Sequence, residues 1–410
     1  MIQATQIRLP YLEMEDPEFG ADPAVHFARA REQHPWLARC LHGFVIHEYA
    51  AVRDVLWMDD KMHIATEQLI AVMGAQNTRW GRFQRENLFG ISGDEHKRVR
   101  DFVAPAFTPR RANQHRALMR KVIRELLEEW VPRKAFDFEE FASHFPITVM
   151  CSLIGAPSSE VPRLKSSMEA IGLSHSMDRS LFPSMESAIV TLEDFCGDVV
   201  EQRRNGHRPG GEPDLLDALL QANEHGGLTD RELIDLLITL LVGGYDTSKN
   251  LLTLIMNELI RHPGYYERCA TDLDFCRKVT EEMLRFRAIS TTIRQTTADI
   301  EYRDVSFPAG TTLIFALLAA ARDPGTFEDP DRFDPERSSE HRHMTFGRGI
   351  HMCLGQYIAR AQVEEGLHLI AQRIANPRTP GPSGWRPFFG ASGIRGLPIE
   401  FDPAPLRDLH

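Results

Sequence analysis

The 410-residue sequence predicts a mainly helical fold, α or α+β, with a small segregated β-sheet region. Three observations predict it. Most long stretches place apolar residues three and four apart, the spacing of one helix face. Alternation of polar and apolar residues is concentrated between residues 299 and 315. Only two stretches read as loops of any length, Gly206-His-Arg-Pro-Gly-Gly-Glu-Pro213 and Asn376-Pro-Arg-Thr-Pro-Gly-Pro-Ser-Gly384. Neither separates self-sufficient segments, so residues 1–410 are expected to form one domain.

The helices follow in order. Residues 115–131 carry Leu118, Met119, Val122, Ile123, Leu126, Leu127 and Trp130 on one face. The same spacing predicts helices over 145–154, 185–204, 228–262, 273–286 and 355–375. Pro146 is expected near a helix start, where proline is tolerated. Thr229-Asp-Arg-Glu232 is a capping box that opens the longest helix. Run to Arg261, that helix would be about 50 Å long. Its middle is apolar on most sides and should be buried. Strands are expected at 299–303, at 305–307 after a tight turn, and at 311–315 after Pro308-Ala-Gly310.

Composition narrows the function. The chain is 42% hydrophobic and 26% charged, which argues against disorder. A net charge of −11 argues against general attraction to nucleic acid. The start, Met1 to Pro10, has no basic segment leading an apolar run. The longest apolar region, 233–242, is interrupted by Asp235 and Thr239 and is too short to span a bilayer. A cytoplasmic protein without a membrane partner is expected. Six cysteines are scattered with no CxxC pair, so no disulfide framework is expected. Five should pack as small apolar residues.

Two segments break local consistency. Inside the long helix stands Gly243-Gly244-Tyr245-Asp246-Thr247. Each glycine costs about 1 kcal/mol relative to alanine in a helix interior, and Asp and Thr are poor interior formers. Such breaks are expected at functional sites. One reading is a kink, or two helices joined at the glycines. The other is a ligand groove. There the glycines admit a flat ligand, Thr247 turns its hydroxyl off the helix ladder, and Asp246 carries protons from solvent.

The second segment is Phe346-Gly-Arg-Gly-Ile-His-Met-Cys-Leu-Gly355. Gly347 and Gly349 permit a tight backbone path. Cys353 precedes a helix, whose N–H groups and dipole favour a thiolate. Two other readings compete: an inert buried cysteine, or a zinc site of His341, His343, His351 and Cys353.

This loop fits F-G-x-G-x-H-x-C-x-G at every fixed position and resembles the haem-binding loop of the cytochromes P450. The resemblance spans about residues 40–400. It implies a haem b cofactor with Cys353 as its axial metal ligand and His351 on a propionate. Phe346 and Gly243 would contact the haem. Gly243 to Thr247 resembles the oxygen-activating segment, with Asp246 and Thr247 as the catalytic acid–alcohol pair. Residues 93–100 resemble the segment that holds propionates through His96 and Arg100, and Arg294 matches a further propionate arginine. Glu282-Met-Leu-Arg285 resembles the E-x-x-R motif, with Arg332 its expected third member. Ala321 departs from the family, which often has Asn there. By family position the pocket draws on residues 62–89, 167–183, 288–293 and 390–394.

The resemblance implies a monooxygenase that uses O₂ and takes electrons from an external ferredoxin and ferredoxin reductase, since no flavin or iron–sulfur motif is present. A mid-sized, mostly apolar small molecule is expected as substrate. A peroxide-driven haem enzyme and a non-catalytic haem sensor are the alternatives. Lys97, Arg98, Arg100, Arg110, Arg111 and Arg116, against the single acid Asp101, suggest a basic docking patch with Arg342, His343 and Arg348.

Overall fold

The computed structural model describes residues 1–208, 214–289, 291–338 and 340–405. Parts of the expected 206–213 loop and of the 288–293 pocket segment, at 209–213 and Ser290, lie outside them.

Helices dominate, and the expected fold class is what is observed. The long helix runs unbroken over Asp230–Leu259, through both glycines, so neither a break nor a second helix follows them. Its capping box forms as read: Glu232 N donates to Thr229 Oγ1 at 3.2 Å, and Thr229 N to Glu232 Oε2 at 2.7 Å. Leu233, Leu236, Leu237, Leu240 and Leu241 are buried along it. Each such side chain contributes roughly 1.5–3 kcal/mol on leaving water. The helix packs against the Phe138–Leu153, Val161–Gly172, Phe182–Arg204 and Gln356–Arg373 helices.

Pro146 corrects the sequence reading. It lies inside the Phe138–Leu153 helix, which begins seven residues earlier than expected. The start is set by Asp137, whose carboxylate accepts from Glu139 N at 2.9 Å.

The largest sheet has five strands in the order Leu37–Cys40, Gly43–Ile46, Thr312–Phe315, Thr292–Thr296, Met62–Ile64. Phe44, Val45 and Ile46 pair in parallel with Leu313, Ile314 and Phe315. Ile64 faces Arg294 across the antiparallel edge. The early strands, of three or four residues each, are too short for alternation to mark them in the sequence. Among the described residues no helix is long and apolar enough to cross a membrane.

Candidate functional site

A cavity of about 390 Å³ lies between the long helix and the cysteine loop. Gly243, Asp246 and Thr247 line one side, and Phe346, His351 and Cys353 the other. The two segments singled out in the sequence, a hundred residues apart, therefore meet. All four expected pocket segments contribute, through Leu69 and Phe83, Ile171 and His175, Ile289 and Ile293, and Gly390 and Ala391.

The loop is folded as its glycines require. Gly347 and Gly349 have φ of 71° and 72°, a region costly for other residues. A side chain at Gly349 would also collide with the Asp59 carboxylate, which accepts from Ile350 N at 2.8 Å. Cys353 N donates to the Phe346 carbonyl at 2.8 Å. Burial pushes the Cys353 thiol up, while the N–H groups of Gly355 and Gln356, with Arg100 and Arg360, oppose that rise. This is the environment that stabilises a metal-bound thiolate.

The cavity edge collects basic groups. His96 and His351 lie with ring centroids 4.3 Å apart, and Nε2 of each is buried without a hydrogen-bond partner. Burial, then Arg294 and His96, push the His351 imidazole down to about 3. Burial also lowers Arg294 to about 10; among the described residues its guanidinium donates only to Thr292 Oγ1 and the Ile293 carbonyl. Arg100 donates to the Met352 carbonyl at 2.6 Å. Among the described residues, no carboxylate forms an ion pair with any of the four. The Arg294 guanidinium is the desolvated cation of the set, and a buried cation without a counter-charge is costly. A ligand bearing two carboxylates, such as haem, fits this edge and would relieve that cost.

The opposite wall differs from expectation in two respects. Thr247 does not turn its hydroxyl off the helix. Oγ1 donates to the Gly243 carbonyl at 2.9 Å, one turn back, which satisfies it locally. Asp246 has no direct route to solvent, being 2% exposed. Arg386 Nη1 lies 2.8 Å from both of its oxygens, and Lys249 Nζ lies 3.4 Å from Oδ1. Lys249 is itself fully buried and continues to Glu139 at 3.0 Å and Glu169 at 3.7 Å. Burial works against the Glu139 charge, but Lys249 and the Gly396 N–H overcome it and hold its carboxyl below the usual range. The two glycines divide their work. A Cβ at Gly244 would stand 2.5 Å from Met150 Sδ, whereas one at Gly243 would meet only the Phe89 ring, at 3.5 Å.

Lys249 was legible, since it follows Asp246 by three residues on one helix face. Arg386 lies 140 residues away and carried no signal in the sequence.

Three further expectations change. The third member of the Glu282–Arg285 network is Arg337, not Arg332. Arg285 meets Glu282 at 2.7 and 2.8 Å, and Arg337 Nε approaches Glu282 Oε1 at 3.4 Å. Arg332 contributes its carbonyl to Arg285 and Arg337, while its side chain is largely exposed beside Asp334. The zinc set does not converge: among the described residues no three His, Cys, Asp or Glu side chains are grouped to hold a metal. His343 instead meets Glu281 at 3.3 Å. The basic patch is smaller than read. Lys97 pairs with Asp101, Arg98 with Glu232, and Arg116 with Glu364 and Glu365. Arg110 and Arg111 stay exposed, and Arg348 lies over the Trp57 ring, 5.3 Å from its centroid.

Comparison with known proteins places these features in context. A family model described as cytochrome P450 matches residues 44–375. Luteothin monooxygenase of Streptomyces thioluteus is 31% identical over 401 residues, covering 97% of each chain. Pentalenic acid synthase of Streptomyces avermitilis is 28% identical, covering 96% of this chain and 97% of its own. Among solved structures, a myxobacterial cytochrome P450 in complex with myristic acid superposes with a TM-score of 0.85. It is 26% identical, with 95% of this chain and 98% of that one covered. An epothilone B-bound cytochrome P450 has the same fold, with a TM-score of 0.84 at 24% identity over 96% of this chain and 100% of its own.

Proposed function

The chain belongs to the cytochrome P450 family, and on that footing we propose that it oxidises a mid-sized, mostly apolar small molecule with O₂ and two electrons. The electrons come from an external ferredoxin, itself reduced by a ferredoxin reductase, in the cytoplasm. The observation that carries this reading is one cavity with a cysteine sulfur on its wall and four basic groups without carboxylate partners at its edge.

Haem, read here as haem b, is assigned to Cys353 at its iron. Its carboxylates are assigned to His96, Arg100, Arg294 and His351, and Gly243 and Phe346 border it. When bound it supplies O₂ activation, and thiolate ligation favours O–O cleavage. Overall, one oxygen atom enters a substrate C–H bond; the other leaves as water with two protons and two electrons. The chain itself must move those protons and exclude bulk water. Thr247 borders the cavity, and Asp246 is held beside it by Arg386. Lys249 joins Asp246 to Glu139 and to the half-buried Glu169. That ionic chain supports a guarded proton route, not open water access.

The reading treats residues 1–410 as one catalytic domain. Pairing of Phe44–Ile46 with Leu313–Phe315, from opposite parts of the chain, supports it. The ferredoxin is assigned to the face around the cysteine loop. Trp57, Ile350, Met352 and Tyr357 are exposed there, with Arg348 against Trp57. An apolar patch with a basic rim suits an acidic partner.

The optical spectrum of the reduced, carbon monoxide-bound protein tests the assignment. A strongly red-shifted Soret band is expected, and Cys353→Ser should abolish it. A protein that binds no haem, or a serine variant with the band intact, would refute the reading.

A further inference from the structure

Most of the cavity wall away from the cysteine loop is apolar, formed by Leu69, Phe83, Leu88, Ile171 and Met177 among others. A cluster of polar groups interrupts it where the Arg79–Glu86 helix meets the turn at Ser174–Ser176. Gln84, Ser174 and His175 all line the cavity at this place. Gln84 is 6% exposed and Ser174 1%, so neither has bulk water as a partner.

Their hydrogen bonds are incompletely used. Ser174 Oγ accepts from Trp80 Nε1 at 3.0 Å and from Gln84 Nε2 at 3.4 Å. Both lone pairs of the hydroxyl are then occupied, and its O–H has no acceptor among the described residues. Gln84 Oε1 has no donor among them either, and the His175 ring makes no hydrogen bond to any of them. A neutral imidazole offers one donor and one acceptor. Burial lowers the His175 pKa and so favours that form. Gln84 and Ser174 are buried deeply enough that their polar atoms are ordinarily satisfied, while His175 is half-buried at the cavity.

Charge narrows what they can take. Asp246 is matched by Arg386 and Lys249. Arg100 and Arg294 are assigned to haem carboxylates in the reading above. Among the described residues no other Lys or Arg lines the cavity, so a carboxylate brought to this cluster would be buried without a Lys or Arg counter-ion, at high cost.

Building on the proposed function, we propose that Gln84, Ser174 and His175 form a polar subsite. It binds a neutral hydroxyl or carbonyl oxygen of the substrate and leaves the apolar remainder facing Gly243 and Thr247. The substrate class is then a neutral oxygenated molecule such as an alcohol, ketone or lactone, and not a free fatty acid.

Calorimetric titration of the haem-loaded protein with adamantane, 2-adamantanone and 1-adamantanecarboxylate tests this. The ketone should bind about tenfold more tightly than the carboxylate. Gln84→Leu and His175→Phe should each weaken the ketone about three- to tenfold, the value of one hydrogen bond. Both should leave adamantane within about twofold. His175→Asn, which keeps a donor and an acceptor, should retain most of the ketone preference. Equal losses for ketone and hydrocarbon, or tightest binding of the carboxylate, would overturn the subsite. The carbon monoxide spectrum of each variant separates the two levels of argument. A normal spectrum with the wrong affinity pattern overturns the subsite alone. A wild-type protein without the thiolate spectrum overturns the functional reading, and the subsite with it.

Discussion

Replacing Lys249 by Met removes one charge from a buried cluster while keeping a side chain of similar length. In the native protein Lys249 Nζ stands 3.0 Å from Glu139, 3.4 Å from Asp246 and 3.7 Å from Glu169. The Tyr245 hydroxyl donates to Glu169 at 2.9 Å, and Arg386 is the remaining cation. Without Lys249, three carboxylates face one guanidinium. Stranding a buried charge in this way costs about 3–5 kcal/mol. With an unfolding entropy of roughly 2.1 cal/mol/K per residue, that lowers the melting temperature of this chain by about 4–6 °C. The pH dependence has a definite sign. The folded pKa of Glu139 is depressed, so its contribution is present above the unfolded carboxylate value and is lost as pH falls through the folded value. In Lys249→Met burial dominates instead and the folded pKa rises. The cost is then largest near pH 7.5 and shrinks toward pH 5, as Glu139 takes up a proton. Scanning calorimetry of both proteins at these two pH values measures it. A variant melting within 1 °C of the parent at pH 7.5, or a deficit that does not change with pH, would refute the argument.

Five further outcomes are expected. Arg337→Ala should destabilise the fold by roughly 1–3 kcal/mol, because buried Glu282 and several carbonyls lose a donor. Arg332→Ala should stay within about 0.5 kcal/mol in the same denaturant titration. Gly243→Ala should stabilise the long helix by up to about 1 kcal/mol yet weaken ligand binding, since its methyl borders the cavity beside Phe89; thermal melts and ligand titrations together check this. Thr247→Ala should lower product formed per electron consumed, measured as product against reduced nicotinamide oxidised. Arg348→Glu should slow reduction by ferredoxin in stopped flow, and the native rate should fall more steeply with salt than the variant's.

Legibility of this chain followed the range of the forces involved. The Leu273–Phe286 helix was read to both ends, because periodicity and its flanks are local signals. The Thr229 capping box was equally plain. The Asp137 cap is a local signal too, but Pro146, which ordinarily marks a first turn, points to a later start than the one observed. Cys353, His351 and the Gly243–Thr247 segment stood out because they violate ordinary helix and loop preferences. Arg386 did not, for its value arises only from a partner 140 residues away. Arg337 and Arg332 show the same limit at shorter range. Both are arginines in one loop, and only the folded path decides which guanidinium turns inward.

The Asp246–Arg386 contact also joins two segments that are synthesised far apart in time. The long helix leaves the ribosome with Asp246 and Lys249 already embedded in its apolar stripe. Arg386, a partner of Asp246, is made more than a hundred residues later, after the cysteine loop. Until then Asp246 has Lys249 as its neighbouring cation, and Lys249 in turn has Glu139 and Glu169, both made earlier. A nascent chain halted before residue 386 would carry every haem ligand named above and still lack the guanidinium that meets Asp246. Completion of the oxygen-facing wall is thus coupled to completion of the polypeptide.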